Sequence, residues 1–415
     1  MSASSEVEVE DRLRRTYRAV AARTVVDARP APGAGRTVVR LVPPPPRRRG
    51  LRVAAALLVV AGLAAAVAGL GVGRHPGDQA ATRADGGRWE QLPDPPIRLD
   101  DGAVWTGREA IAFGGGPRAD MAAAYDPATR TWRRLPDLPP AAVGVAVRAV
   151  WTGHEVVAFP IQEKRTPAAA YDPATNAWRV LPGTYPTVWL GTTLAWTGDR
   201  VLLAEVGPER DVLNAQARAL HAGLLDPATG RWEALPDSPA VFIGATASVW
   251  TGHRLVAIGQ AVGAPPTTMV LDPRDRAWHD APPAPIGQRT DPVVAWTGAE
   301  VLFAGGETGR DPTPSREAAG FDPATRTWHR VPAPPVAVGS TLAPAVRVGG
   351  SIYVNGTGGH RPLLLDTATG TWAFAAPRPP ALDRRGAPGT AFGMGDDVLV
   401  LSSDAPPFAY HPPGG

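Results

Sequence analysis

The sequence predicts an all-β chain: a seven-bladed propeller of four-stranded blades, preceded by one transmembrane helix. Three observations carry this prediction. A tryptophan-bearing hairpin recurs every 44 to 54 residues, a glycine-centred hairpin precedes it each time, and tryptophan-led return strands outnumber complete units by one.

In chain order, Val9, Leu13, Tyr17, Val20 and Thr24 recur at helical spacing among arginines, predicting a short amphipathic helix ahead of the Pro-rich tether Pro43 to Pro46. From Val53 to Val72 no charge interrupts twenty residues, the length a helix needs to cross about 30 Å of hydrocarbon. Arg36, Arg40, Arg47, Arg48, Arg49 and Arg52 precede the span, against Arg74, Arg83 and Arg88 after it, which sets the N-terminus in the cytoplasm. The predicted division is a cytoplasmic segment at 1–52, a transmembrane helix at 53–73, a flexible linker at 74–88 and the propeller at 89–415. The expected location is the cell membrane, single-pass, with the propeller extracellular or periplasmic.

The first hairpin reads AVWTGREAIAF from Ala103, and recurs from Ala149, Leu194, Ser248 and Val293. Gly107, Gly153, Gly198, Gly252 and Gly298 supply the positive φ that a tight turn needs between two alternating apolar runs. The second hairpin reads YDPATRTWRRLP from Tyr125, with related copies from Tyr171, Leu225, Leu271, Phe321 and Leu365. Its Asp accepts a hydrogen bond from the backbone just ahead, Pro presets φ, and the tryptophan opens the return strand. Trp132, Trp178, Trp232, Trp278, Trp328 and Trp372 thus hold one position, that of a large side chain wedged between neighbouring sheets.

Trp89, in RWEQLP, is a seventh return strand without a blade, whereas the last unit, from Ala391 to His411, has three strands and lacks its fourth. Pairing the two closes a ring of seven and hides both sheet edges. The length agrees, at about 47 residues per blade for the 327 residues from Trp89 onward.

Asp-Pro-Ala-Thr-x-x-Trp-x-x-Leu-Pro after a Gly-Gly strand end, as at Gly114-Gly115 and Gly305-Gly306, resembles the kelch-repeat propellers in diverged form. Galactose oxidase has a propeller of this type, and its copper site needs two tyrosines, two histidines and a cysteine joined to one tyrosine. This chain has no cysteine, so that cofactor cannot form.

The same absence removes disulfides and thiolate chemistry. Of the eight histidines, His154 and His253 sit in the Trp-Thr-Gly turns and His279 and His329 follow blade tryptophans, so neither a metal nor another cofactor is expected. The formal charge of +3 comes from residues 1–52, with 12 Arg against 5 acidic residues; the remainder carries 30 basic against 34 acidic residues. A mildly acidic domain without basic clusters excludes nucleic acid as a partner.

In kelch-type propellers the loops joining second to third strands share one face with those joining blade to blade. Those loops hold the candidate ligand residues Arg98, Asp100, Arg210, Arg289, Asp291, Arg310 and Arg384. The expected function is a membrane-anchored module binding a protein or a cell-envelope glycan outside the cytoplasm, with no catalysis of its own. Two alternatives stand beside it. One is a cofactor-independent sugar-modifying enzyme similar to kelch-type mutarotases; the other is a transmembrane sensor whose N-terminal helix meets a cytosolic protein.

Overall fold

A computed structural model describes residues 86–413, apart from 100–101, 116–119, 162–165, 187, 189–191, 207–217, 262–265, 288, 290, 309–312, 340–344, 357–360, 383–388 and 404. The predicted transmembrane run at 53–73, the amphipathic helix and the linker as far as Asp85 lie outside the described residues. Among the described residues no helix is long and apolar enough to cross a membrane.

Both hairpins form where the sequence places them. The turn glycines take φ of 90° at Gly107, 100° at Gly153, 107° at Gly198, 94° at Gly252 and 106° at Gly298. In each of these turns the threonine hydroxyl seals the loop: Thr152 Oγ1 donates to the Glu155 carbonyl at 2.9 Å and accepts the Glu155 N–H at 3.1 Å. In the second hairpin Asp126, Asp172, Asp226, Asp272, Asp322 and Asp366 each accept the N–H two residues on, at 2.7 to 3.0 Å. These carboxylates are occupied by their own turns.

Four antiparallel strands make each blade, as in blade 2: Ala146–Trp151, Val156–Ile161, Ala169–Asp172 and Ala177–Val180. The second strand of that blade is buried throughout, because a propeller sheet is covered on both faces. Seven apolar clusters lie one at each interface between blades. Each buried Val, Leu or Phe among them contributes roughly 1.5–3 kcal/mol.

The tryptophans sit half-buried at the outer ends of these interfaces and stitch blade to blade. Trp178 Nε1 donates to the Pro136 carbonyl of the preceding blade at 2.9 Å, and Trp278, Trp328 and Trp372 do the same to Pro236, Pro282 and Pro332. Blade 3 departs from the rule: the Tyr185 hydroxyl takes the Pro182 carbonyl, and the Trp232 ring lies over Gly223. In blade 1 the Trp132 Nε1 is buried with no acceptor among the described residues.

The ring closes as predicted. Arg88–Gln91 pairs with Phe408–His411, with Trp89 opposite Tyr410, and becomes the fourth strand of blade 7. Gly86 is held at the seam, where its carbonyl accepts the Ala376 N–H at 2.5 Å and the Tyr410 hydroxyl at 2.6 Å. Trp89 Nε1 completes the seam on the Ala376 carbonyl at 3.1 Å.

Two arrangements go beyond the repeat. Blades 3 and 4 form one continuous sheet, because Arg218 and Ala219 pair with Phe242 and Val241 on the ten-residue inner strand Val241–Trp250. An ion pair also recurs between the start of the second strand and the residue after the tryptophan. Glu109 meets Arg133 at 2.7 Å, Glu155 meets Arg179 at 2.8 Å and Glu300 meets His329 at 3.1 Å. In blade 3 the signs are exchanged, with Arg200 3.7 Å from Glu233.

Candidate functional site

The propeller has two unlike faces. The lower one carries the Trp-Thr-Gly and Asp-Pro turns, and the upper one carries the loops between second and third strands and between blades. Arg88 pairs with His411 at the end of blade 7 where the other blades have their Asp-Pro turn, so the chain enters on the lower face. The upper face is therefore the one remote from Gly86, where the described chain begins.

Over blades 5 and 6 the upper face is rich in arginine. Arg316 Nε donates to the Pro334 carbonyl at 2.8 Å, and a guanidinium N–H of Arg330 donates to that of Pro285 at 3.1 Å. Arg361 grips the Ala375 carbonyl through two nitrogens and lies 5.3 Å from the centre of the Phe374 ring. Arg378 reaches the Gly356 carbonyl at 2.6 Å and Asn355 Oδ1 at 3.2 Å, and the buried Asn355 Nδ2 donates in turn to the Gly389 carbonyl. Backbone anchors of this kind fix the guanidinium groups in place, which lowers the entropy lost when a ligand engages them.

Glu317 sits among these cations, paired with Arg289 and with Arg330 at 3.2 Å. The hydrogen bond from Arg330, opposed by partial burial and joined by the charge of Arg289, holds its carboxyl below the usual range. Asp291 and Glu307 are the other described acids of this sector. Over blades 1 to 3 the described upper-face charges are mixed, with Asp94, Asp120, Asp137, Glu205 and Asp237 beside Arg98, Arg134 and Arg148.

Arg148 is a feature that the loop-based reading missed. It lies on the inner strand Ala146–Trp151 and reaches across to the first inner-strand position of blade 3, where one guanidinium nitrogen meets the Thr192 carbonyl at 3.4 Å. Burial pushes its pKa down from the ordinary arginine value. The available signal was a single charge inside the apolar run AVRAVW, which fits no solvated strand edge.

The predicted loop residues divide as follows. Arg98 is exposed; Asp100, Arg210, Arg310 and Arg384 lie outside the described residues. Arg289, its side chain only 4% exposed, is brought together with Glu317 at the start of the third strand. Asp291 holds the left-handed backbone conformation, with φ of 51°. Among the described residues no three His, Asp or Glu side chains converge as a metal site.

No protein-family model matches the chain, and no curated protein matches it either. Solved structures do. An oligogalacturonate lyase in complex with manganese is 12% identical, with a TM-score of 0.55, covering 81% of this chain and 95% of that one. A structure of YjhT is 16% identical, with a TM-score of 0.48, covering 68% of this chain and 99% of that one. At 12% identity the likeness to the lyase concerns the fold alone, and the sheets of this chain make that fold a seven-bladed β-propeller.

Proposed function

We propose that this chain is a diverged kelch-type propeller, anchored in the cell membrane by residues 53–73, whose upper face binds a protein or a cell-envelope glycan outside the cytoplasm. The observation that supports it is the placement of the entry strand. Twelve residues separate Gly73 from Gly86; as the flexible linker expected from the sequence they would reach roughly 20 Å, keeping the lower face near the bilayer and the arginines of blades 5 and 6 facing outward. Bidentate guanidinium groups suit carboxylates and other oxyanions.

The test is thermal unfolding of the full chain in detergent with a panel of envelope glycans and peptides, beside the double variant Arg316→Glu and Arg330→Glu. A ligand that raises the wild-type midpoint and not the variant's supports the reading. Ligands acting equally on both, or none at all, overturn it.

A second reading, a sugar-modifying enzyme without a cofactor, draws on Glu205, a carboxylate only 5% exposed at the upper end of blade 3. A buried carboxylate there suits a general base. The described residues do not supply the donors for manganese, the metal named with the solved lyase, so no step is assigned to a metal. Glu205→Gln abolishing turnover of a sugar while the midpoint holds would favour the enzyme. A sensor reading predicts instead that deleting residues 1–26 removes a cellular response and leaves external binding intact.

A further inference from the structure

Inner strands surround the propeller axis, and among the six blades where it is described, one register position on them carries a charge in a single blade. Arg148 pairs with Phe159 there; the equivalent residues are Gly102, Thr193, Ala247, Val293 and Thr390, opposite Phe113, Ala204, Ile258, Ala304 and Leu401. The position is narrow. A Cβ on Gly102 would stand 2.7 Å from the Val147 carbonyl of the next blade, and Thr193 Oγ1 donates to the Ser248 carbonyl of the next blade at 2.9 Å. A short side chain fills the gap, whereas Arg148 overshoots it and carries its guanidinium to the upper end of blade 3.

There the charge has little to hold it. The Thr192 carbonyl at 3.4 Å is its hydrogen-bond partner, at the weak end of the range, and no carboxylate lies within ion-pair distance among the described residues. The side chain is half-buried, so part of it still meets solvent. A guanidinium stays protonated at any physiological pH, so this environment cannot neutralise it as it would a lysine. A partly desolvated cation without a counter-charge destabilises a fold, and functional sites are where such groups are found.

We infer that Arg148 is the anion-binding residue of a small site at the upper mouth of the central axis, between blades 2 and 3, and that its ligand presents one carboxylate. This deepens the binding role proposed for the upper face and rests on it. Glu205 argues for a single negative charge: it follows Ala204, the strand partner of Thr193, and its buried carboxylate repels a phosphate or sulfate dianion entering beside it. A ligand with one carboxylate accepts from Arg148 without bringing a second negative charge near Glu205. Sugar acids and the C-terminal residue of a peptide share this chemistry.

The test is calorimetric titration of the full chain in detergent with glucuronate, with acetylglycine and with glucose, for the wild type, Arg148→Gln and Arg148→Lys. The expected result is that at least one acid binds and glucose does not. Arg148→Gln then weakens that acid at least tenfold, and Arg148→Lys weakens it less. The acid that responds identifies the source, sugar or peptide. Thermal midpoints serve as the control for folding, with Arg148→Gln at or above the wild type because it removes an uncompensated charge. Neither acid binding, or Arg148→Gln binding as tightly as the wild type, overturns the inference. A ligand of the blade 5 and 6 arginines that is still bound in Arg148→Gln leaves the broader binding role intact, so the two failures are distinguishable.

Discussion

The indole of Trp89 lies against the ring of Tyr410, centroids 5.0 Å apart, and this contact between the first strand of the propeller and its last is what turns an open arc into a ring. Phe408 packs on the same indole edge-on at 6.5 Å. Truncation at Trp89 is expected to cost about 3 kcal/mol, near the lower end of the range for large packed aromatics because the side chain is half-buried. Denaturant unfolding of Trp89→Ala measures this; a loss below about 1 kcal/mol would show that the seam does not depend on the indole.

Tyr410 gives the seam an alkaline limit. Burial pushes its pKa up to about 12, against smaller opposing effects of the backbone at Ala376 and the charge of Arg361. The hydroxyl is protonated in the fold and ionises more readily in the unfolded chain, so stability is complete below pH of about 10 and declines toward about 12. Spectrophotometric titration should show one tyrosine ionising later than the others, and Tyr410→Phe should remove that late step.

The acid limit involves Glu90. Burial raises its pKa, but the hydrogen bond from Arg88, the charge of Arg130 and the contact with His411 outweigh it, and the net direction is down. A depressed carboxyl stabilises the fold above its unfolded pKa of about 4.3 and loses that contribution as pH falls through the folded value. Stability should hold from pH 7 to about 5 and then decline. Glu90→Gln should show a shallower decline in the same urea series at each pH; an unchanged slope would remove Glu90 from the account.

The exchanged signs of Arg200 and Glu233 make a swap elsewhere testable. Reversing Glu155 and Arg179 together should recover most of the stability that either reversal loses alone, with a coupling of about 1 kcal/mol in a double-mutant cycle. Glu155 is buried, so its single reversal is the costlier of the two. No coupling would mean that the repeated pair is incidental.

Gly223 tests why blade 3 departs from its neighbours. Leucine opposite the tryptophan is shared by Leu225, Leu271 and Leu365, and Trp278 and Trp372 still keep their proline contacts; blade 3 differs at Gly223, where the other hairpins have Ala123, Ala169, Met269, Ala319 and Leu363, and the indole of Trp232 lies over it. A methyl group there overlaps the ring, so Gly223→Ala should cost about 1–3 kcal/mol.

The fold was legible because each hairpin is a local event. Asp126, Pro127 and Gly107 act on their own turns within a few residues, and repetition multiplies the signal until even the unpaired strand at Trp89 is readable. The candidate site was less legible. Arg289 pairs with Glu317, 28 residues further along the chain, and loop order does not show such a neighbour. Arg148 escaped because its meaning depends on an inner strand of another blade.

The sequence by itself determined the repeat, the four-stranded blade, the count of seven and the way the ring closes, since turn geometry and apolar alternation are properties of contiguous residues. The tertiary structure decided the joining of blades 3 and 4, the pairing of Arg289 with Glu317 and the reach of Arg148 to the Thr192 carbonyl of blade 3. Those depend on distances between residues that only closure of the ring brings together.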